Sequence, residues 1–340
     1  MSKPQIVFLT PGLGMGGAER WIVTLAKFFN KLEPKYIINL SGRQDDKLYE
    51  EACQVTQVIN GNPSINLQLI KKYCQNIDVI ISWGCPNLKN LTNGLSCKII
   101  DVSHSDPVWE RHQLLISRSS LGATHHVGVS KTASSAFPKQ FNPTTIYNGI
   151  DPNRVIPKNN RKNKRQEWGI KNEKIALFLG RLSDEKNPLV LVEATKYLPK
   201  NWKSVFIANG PLLDQMPQND KIKLIPKDMN IDDVMEAADV LVLPSLYEGM
   251  PLVLIEGWVA GIPTVTTQYS TYNELTEMHG ELSWSVPVNP DPKELASKIE
   301  EASKVGRSSE KVQNAKKVAL QYYVSDKMVE NWENYILSIL

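Results

Sequence analysis

Apolar positions along the chain fall into two alternating kinds of segment. Short apolar runs bounded by polar or glycine-containing turns predict buried strands. In the first half these are 5–10 (QIVFLT), 36–40, 79–82 (VIIS), 98–102 (KIIDV) and 126–129 (HVGV). In the second they are 175–179 (IALFL), 205–208, 223–225 and 239–243 (DVLVL). Between them lie stretches with apolar residues at helical spacing. One covers 18–30, with Trp21, Ile22, Leu25 and Phe28 or Phe29 inward, and another 325–340, with Met328, Trp332, Tyr335, Ile336 and Ile339 on one face. Alternation of strand and helix predicts an α/β protein with parallel sheets. In such sheets ligands gather beyond the carboxyl ends of the strands, so the turns that follow the strands are the places to look for chemistry.

One helix breaks the amphipathic pattern. Over 251–260, Leu252, Val253, Leu254, Ile255, Trp258, Val259 and Ala260 make it apolar on nearly every side, yet Glu256 sits in its second turn. Pro251 suits a first helical turn and Gly261 the left-handed position just past the end. A carboxylate inside such a helix is costly unless something pairs with it. Glu248 stands eight positions earlier, in the loop before the helix.

The chain's 340 residues exceed one ordinary core, so two domains are expected. The boundary falls at 146–151 (IYNGID), where an Asn-Gly pair is followed by Pro152 and Pro157, giving domains over 1–150 and 151–323 and a last helical segment over 324–340. A net charge of +3, from 39 basic against 36 acidic residues, gives no reason to expect a nucleic-acid partner. The basic stretch 157–174 carries only Trp168 as an aromatic and reads as a solvated face beside a linker. No apolar run approaches the roughly 18 to 20 residues of a membrane span, and the first residues enter a strand, so a cytoplasmic protein is expected. Residues 111–118 (RHQLLISR) mix cations and apolar residues as a membrane-touching surface does, although an ordinary core-facing helix has the same pattern. The four cysteines, Cys53, Cys74, Cys85 and Cys97, lack the close spacing of metal or redox sites and read as packing thiols.

Candidate chemistry lies in the post-strand turns. The first strand runs into PGLGMGGAER, a strand, glycine loop and helix start suited to cradling phosphate. Gly12, Gly14 and Gly17 also satisfy the dinucleotide fingerprint, but the second strand leads into Ser41, Gly42 and Arg43, without the acid that would hold a ribose. His104 directly follows the KIIDV strand; His112, His125, His126 and His279 read as structural. Farther on, the turn GRLSDEKNP puts Arg181 and Lys186 where they would clamp a diphosphate, and Asn209-Gly210-Pro211 and Pro226-Lys227 follow the next two strands.

GGAER, NGID, GRLSDEKNP and the Glu-x7-Glu pair in SLYEGMPLVLIEGWVAGIP occur in this order across most of the chain. With them the sequence resembles the family 4 retaining glycosyltransferases of the GT-B fold. The resemblance implies two Rossmann-like domains facing across a cleft, with the C-terminal helix crossing back to the first. It also implies transfer of a sugar from a nucleotide sugar, UDP-linked by preference, with configuration kept and no metal or cofactor. The implied acceptor is a sugar, polysaccharide or lipid-linked hydroxyl, met at the inner face of a membrane. By the same resemblance Glu256 holds the donor ribose, Glu248 and His104 lie by the transferred sugar, and Arg181 and Lys186 take the diphosphate. The N–H groups around Gly249, Met250, Pro251 and Leu252 assist the diphosphate. Gly16 and Gly17 approach from the first domain, Asn209 and Gly210 line the donor site, and Ile225 and Pro226 flank the base, although the family often has glycine at the last position. Two rivals stay open at this point: an NADP-linked oxidoreductase using the glycine loop, and a non-catalytic nucleotide-binding protein on the same scaffold.

Overall fold

The computed structural model of the protein describes residues 2–14, 16–62, 64–85, 88–112, 122–157, 160–217, 219–225 and 231–340. It forms two compact units, one of Met1–Gly149 with Val324–Leu340, the other of Ile150–Tyr323. Each is built on a parallel sheet, as the alternating pattern predicts.

The first unit carries β1 (Gln5–Thr10), β2 (Glu33–Asn39), β3 (Gln57–Asn60), β4 (Val79–Trp83), β5 (Lys98–Ser103), β6 (His125–Gly128) and β7 (Thr144–Thr145) in the order β3-β2-β1-β4-β5-β6-β7. Ile6, Val7, Phe8 and Leu9 are wholly buried, which fits a central strand covered on both faces. The order reverses between β1 and β4, the place where doubly wound sheets open a crevice at their carboxyl ends. The Ser325–Ile339 helix belongs to this unit. Its Trp332 meets Trp21 of the Gly17–Phe28 helix edge to face, with ring centroids 5.4 Å apart. Its buried Glu333 accepts hydrogen bonds from the backbone N–H groups of Asn30 and Lys31, just beyond the end of that helix.

The second unit carries β8 (Lys174–Arg181), β9 (Trp202–Asn209), β10 (Ile222–Ile225), β11 (Val240–Leu243), β12 (Thr264–Thr267) and β13 (Trp284–Val286), ordered β10-β9-β8-β11-β12-β13. Here the reversal lies between β8 and β11. The two turns that follow these strands are GRLSDEKNP and the loop that holds Glu248.

The structure departs from the pattern-based reading in identifiable places. β3, β7, β12 and β13 are not signalled by apolar runs: QVIN, TT, TVTT and WSV are short or hydroxyl-rich, and only pairing along the sheet makes them strands. The first helix spans Gly17–Phe28, starting one residue and ending two residues earlier than expected. The basic stretch 157–174 is solvated only in part: Lys162 and Lys171 are exposed, but Lys164 and Arg165 are buried. Arg161 and Arg165 bond the carboxylate of Asp239 and the carbonyls of Glu236, Ala237 and Ala238, and Arg307 joins them on the carbonyls of Glu236 and Ala238 and on that of Met235. These carbonyls end the Ile231–Ala237 helix, so cations meet its negative pole. Residues 113–121 of the region around RHQLLISR, and Pro226 with Lys227, lie outside the described residues. Among the described residues no helix is long and apolar enough to cross a membrane.

The cysteines are unpaired, with Cys74 and Cys85 buried. Burial pushes both thiols up to about 12, which suits packing rather than nucleophilic chemistry. No group of metal-ligating side chains occurs among the described residues.

Candidate active site

The apolar helix forms as Leu252–Ala260, with Pro251 as its extended N-cap residue rather than inside the first turn. Gly261 closes it at φ 65°, a left-handed conformation that glycine adopts without Cβ strain. Its first turn has no side-chain cap, so its N–H groups are free of side-chain competition at a positive pole. Close packing holds it to the sheet: a Cβ on Gly257 would come within 2.5 Å of Leu241 Cδ2.

The loop before this helix is fixed by its neighbours. Leu246 N donates to Glu185 O at 2.7 Å, tying the loop after β11 to the turn after β8. Thr267 Oγ1 donates to Ser245 O, and Thr271 Oγ1 lies 2.8 Å from the carbonyl oxygens of both Glu248 and Gly249. The resulting geometry directs the buried Glu248 carboxylate at Lys186. Lys186 Nζ donates to Oε1 at 2.6 Å and to Oε2 at 2.7 Å, and Ser245 Oγ donates to Oε1 at 2.8 Å. The resemblance separates these two residues, one to the sugar and one to the diphosphate; the structure joins them as an ion pair at the switch point.

Arg181 ends β8 and is exposed, with no ion pair among the described residues. Its backbone is in register with Asn209, the last residue of β9, and Ile225 ends β10 in register with Ile207. Arg181, Asn209 and Ile225 therefore share the carboxyl edge of the sheet with the Lys186 turn. Gly210 has a packing reason of its own. A Cβ there would meet the backbone of Leu182 at 2.5–2.9 Å, where Leu182 N donates to Asn209 O and Leu212 N to Leu182 O. Met250 and Leu252 are buried beside the loop, Met250 4% exposed and Leu252 7%.

Glu256 is nearly enclosed, its side chain 3% exposed, and its partner in the structure is Arg154, whose Nη1 donates to Oε1 at 2.9 Å. Sequence reasoning missed Arg154. The one available signal was the need of an enclosed carboxylate for a cation, which does not say which of 39 basic residues answers it.

In the first unit, Gly16 is the N-cap residue and Gly17 the first residue of the Gly17–Phe28 helix. The Glu19 carboxylate folds back over Gly16: a Cβ there would lie 2.0 Å from Oε2. A glutamate three residues past the cap, reaching back toward it, is half of a capping box. The GGAE segment thus has a local reason for its glycine, and an anion of the chain's own already lies at this helix start. His104 follows β5, as expected, between two indoles, its ring centroid 4.6 Å from that of Trp21 and 5.8 Å from that of Trp83. β2 ends at Asn39, whose Nδ2 donates to Arg43 O and Asn60 Oδ1, so an amide stands where a dinucleotide fold would present a ribose-binding acid. The nicotinamide reading is not favoured.

The sequence profile of the family described as "Glycosyl transferases group 1" matches residues 160–319, which contain Arg181, Lys186, Glu248 and Glu256. A Campylobacter jejuni protein, GalNAc-alpha-(1->4)-GalNAc-alpha-(1->3)-diNAcBac-PP-undecaprenol alpha-1,4-N-acetyl-D-galactosaminyltransferase, is 29% identical over 299 residues, covering 78% of this chain and 79% of its own. The segment 160–319 belongs to the group 1 glycosyl transferases. The Escherichia coli UDP-Gal:alpha-D-GlcNAc-diphosphoundecaprenol alpha-1,3-galactosyltransferase is 32% identical over 149 residues, covering 39% of this chain. The matched region spans only 38% of the length of that relative. A solved Anabaena protein, HepE in complex with UDP-glucose, superposes with a TM-score of 0.83 at 18% identity, covering 99% of this chain and 100% of its own. At that identity the likeness concerns the fold. The protein has the GT-B architecture of two Rossmann-like domains.

Proposed function

We propose that the protein transfers a sugar from a nucleoside diphosphate sugar, UDP-linked by preference, to an acceptor hydroxyl, with the anomeric configuration kept and without a metal. The observation that carries this reading is the carboxyl edge of the second sheet, where Lys186 and Glu248 meet at the switch point beside Arg181 and the uncapped start of the Leu252–Ala260 helix. In the reaction the bond between the anomeric carbon and the diphosphate oxygen breaks, and the acceptor oxygen forms its bond to that carbon as its proton passes to the departing diphosphate. Negative charge grows on the leaving diphosphate. Preorganised cations and helix N–H groups aimed there lower the barrier, and loss of one such donor commonly costs about 2.7–4 kcal/mol.

In this reading Lys186 divides its N–H bonds between Glu248 and the diphosphate, and Glu248 lies next to the transferred sugar. Glu256 takes the ribose, and His104 keeps the role toward the transferred sugar that the resemblance gives it. The preference for UDP is supported by the Escherichia coli relative, named for UDP-Gal, and by the UDP-glucose of the Anabaena protein. An acceptor made of a sugar, polysaccharide or lipid-linked glycan is supported by the undecaprenol-linked acceptors in the names of the two relatives. The reading includes work at the inner face of a membrane, where a lipid-linked acceptor of that kind would be met.

The test has two stages. UDP raises the melting temperature of the protein in the presence of EDTA, and Glu256→Ala and Lys186→Ala each remove most of that shift; absence of binding by UDP, GDP and ADP overturns the donor site. A nucleotide-sugar panel then yields nucleoside diphosphate from one member. Silence across the panel, with glycan and lipid-linked acceptors supplied, favours a binding protein over an enzyme.

A further inference from the structure

We infer that Arg154 is a positioning residue for Glu256, holding its carboxylate so that the remaining oxygen selects a ribose over a deoxyribose. The inference rests on the reading of Glu256 as the group that takes the donor ribose.

Three observations lead to it. First, the backbone of Arg154 is fixed. The Pro152–Val155 turn follows the NGID motif, and the buried Asp151 caps it: its Oδ1 accepts from Asn153 N at 3.0 Å and its carbonyl from Arg154 N at 3.0 Å. Val155, 4% exposed, anchors the other end. Second, the ion pair is asymmetric. Arg154 Nη1 bonds Oε1 at 2.9 Å, while Oε2 has no hydrogen-bond partner among the described residues. Third, nothing else holds this carboxylate. Its helix is apolar, with Leu254, Ile255, Trp258 and Val259 all buried, and no other polar group among the described residues bonds Glu256.

The terminal torsion of a glutamate is broad and roughly two-fold, so a carboxylate without a fixed partner presents its oxygens in no particular plane. The single N–H bond from Arg154 to Oε1 restricts rotation of the carboxylate and leaves the Oε2 lone pairs for another donor. A hydroxyl of the ribose is the donor those lone pairs fit. A neutral or misdirected acceptor at the same place distinguishes ribose from deoxyribose poorly, because discrimination of this kind depends on a polar group that is left unpaired when the hydroxyl is missing. The NGID segment thereby gains a purpose: its turn delivers a cation to a glutamate 102 residues away.

The experiment compares the affinities of UDP, 2′-deoxy-UDP and 3′-deoxy-UDP for the intact protein and two variants, Arg154→Met and Arg154→Lys, by calorimetry. The wild type prefers UDP over at least one deoxy nucleotide by roughly tenfold or more. Arg154→Met brings that ratio to within about threefold of one. Arg154→Lys keeps a cation without the planar fork, stays folded if the charge is what stability needs, and gives an intermediate ratio. If Arg154→Met or, should that variant not fold, Arg154→Lys shows the wild-type ratio, Arg154 only supports the fold and the inference is overturned, while the ribose role of Glu256 stands. If the wild type binds UDP and both deoxy nucleotides alike, Glu256 does not hold the ribose and the inference falls with that reading.

Discussion

Replacing Lys186 by Met deletes the donor to both oxygens of the Glu248 carboxylate and leaves it the hydroxyl of Ser245 alone. The Glu248 side chain is 7% exposed and that of Lys186 28%. Breaking an enclosed ion pair from one side costs about 3–5 kcal/mol, because a charge is left without its partner. Water reaches the lysine end here, so the expected loss is smaller, about 2 kcal/mol. For a unit of this size each kcal/mol moves the midpoint by about 2–4 °C, giving a fall of roughly 4–8 °C. In Lys186→Met with Glu248→Gln the stranded charge is gone, and most of the loss returns, with a coupling of about 1.5 kcal/mol between the sites. Differential scanning calorimetry reads all four proteins. The unit Met1–Gly149 with Val324–Leu340 contains neither residue, so its transition serves as an internal reference. The same four proteins separate a structural pair from a donor site: Glu248→Gln releases Lys186 and holds UDP at least as tightly as the wild type, whereas Lys186→Met, alone or combined with Glu248→Gln, holds it more weakly. Additivity of the two substitutions within about 0.5 kcal/mol would refute the coupling. Weaker UDP binding by Glu248→Gln would refute the sharing of Lys186 between carboxylate and diphosphate.

Two further predictions concern the frame of the site and its pH dependence. Gly210→Ala drives a Cβ into the Leu182 backbone at 2.5–2.9 Å; a loss of about 1–3 kcal/mol in urea unfolding is expected, together with weaker UDP binding, since Leu182 opens the turn that carries Lys186. Unchanged stability would mean that the two turns part easily. Burial holds the His279 imidazole below its ordinary range, and its Nε2 lies 2.7 Å from the Tyr323 hydroxyl. The folded form therefore favours the neutral ring: no stability is at stake above about pH 6.5, and stability is lost as pH falls from there toward the lowered folded value. The melting temperature of the Ile150–Tyr323 unit should drop between pH 7.5 and 5.5, and His279→Gln should flatten that slope; an equal slope in the variant would assign the pH dependence to other groups.

The site was legible in the sequence to different depths. Glu256 was conspicuous because a carboxylate in the second turn of an otherwise apolar helix contradicts its surroundings, and local pattern is enough to show a contradiction. Lys186 and Glu248 were legible as members of turns that follow strands. Their direct pairing was not, because it depends on β8 and β11 being neighbours in the sheet, and strand order is not written in any one segment. Gly16 read as a phosphate contact, and the structure shows a nearer use, room for the Glu19 carboxylate, which depends on a rotamer rather than a spacing.

By itself the sequence determined the α/β class, the strands whose apolar runs need cover on both faces, the apolar helix and its stop at Gly261, and the turns in which chemistry collects. These follow from short-range causes: side-chain periodicity, proline and glycine backbone limits, and the cost of burying charge. Only the tertiary structure decided which partners meet. It brought Arg154 to Glu256 across 102 residues. It turned Arg161, Arg165 and Arg307 from an apparently solvated basic stretch and a distant residue into caps on one helix end. It also made strands of TVTT and WSV, laying the first against β11 and the second against the first. The physical reason is common to all three. An ion pair, a helix cap and an outer strand each take their stability from a neighbour supplied by the path of the chain, and local pattern records the need for that neighbour without its identity.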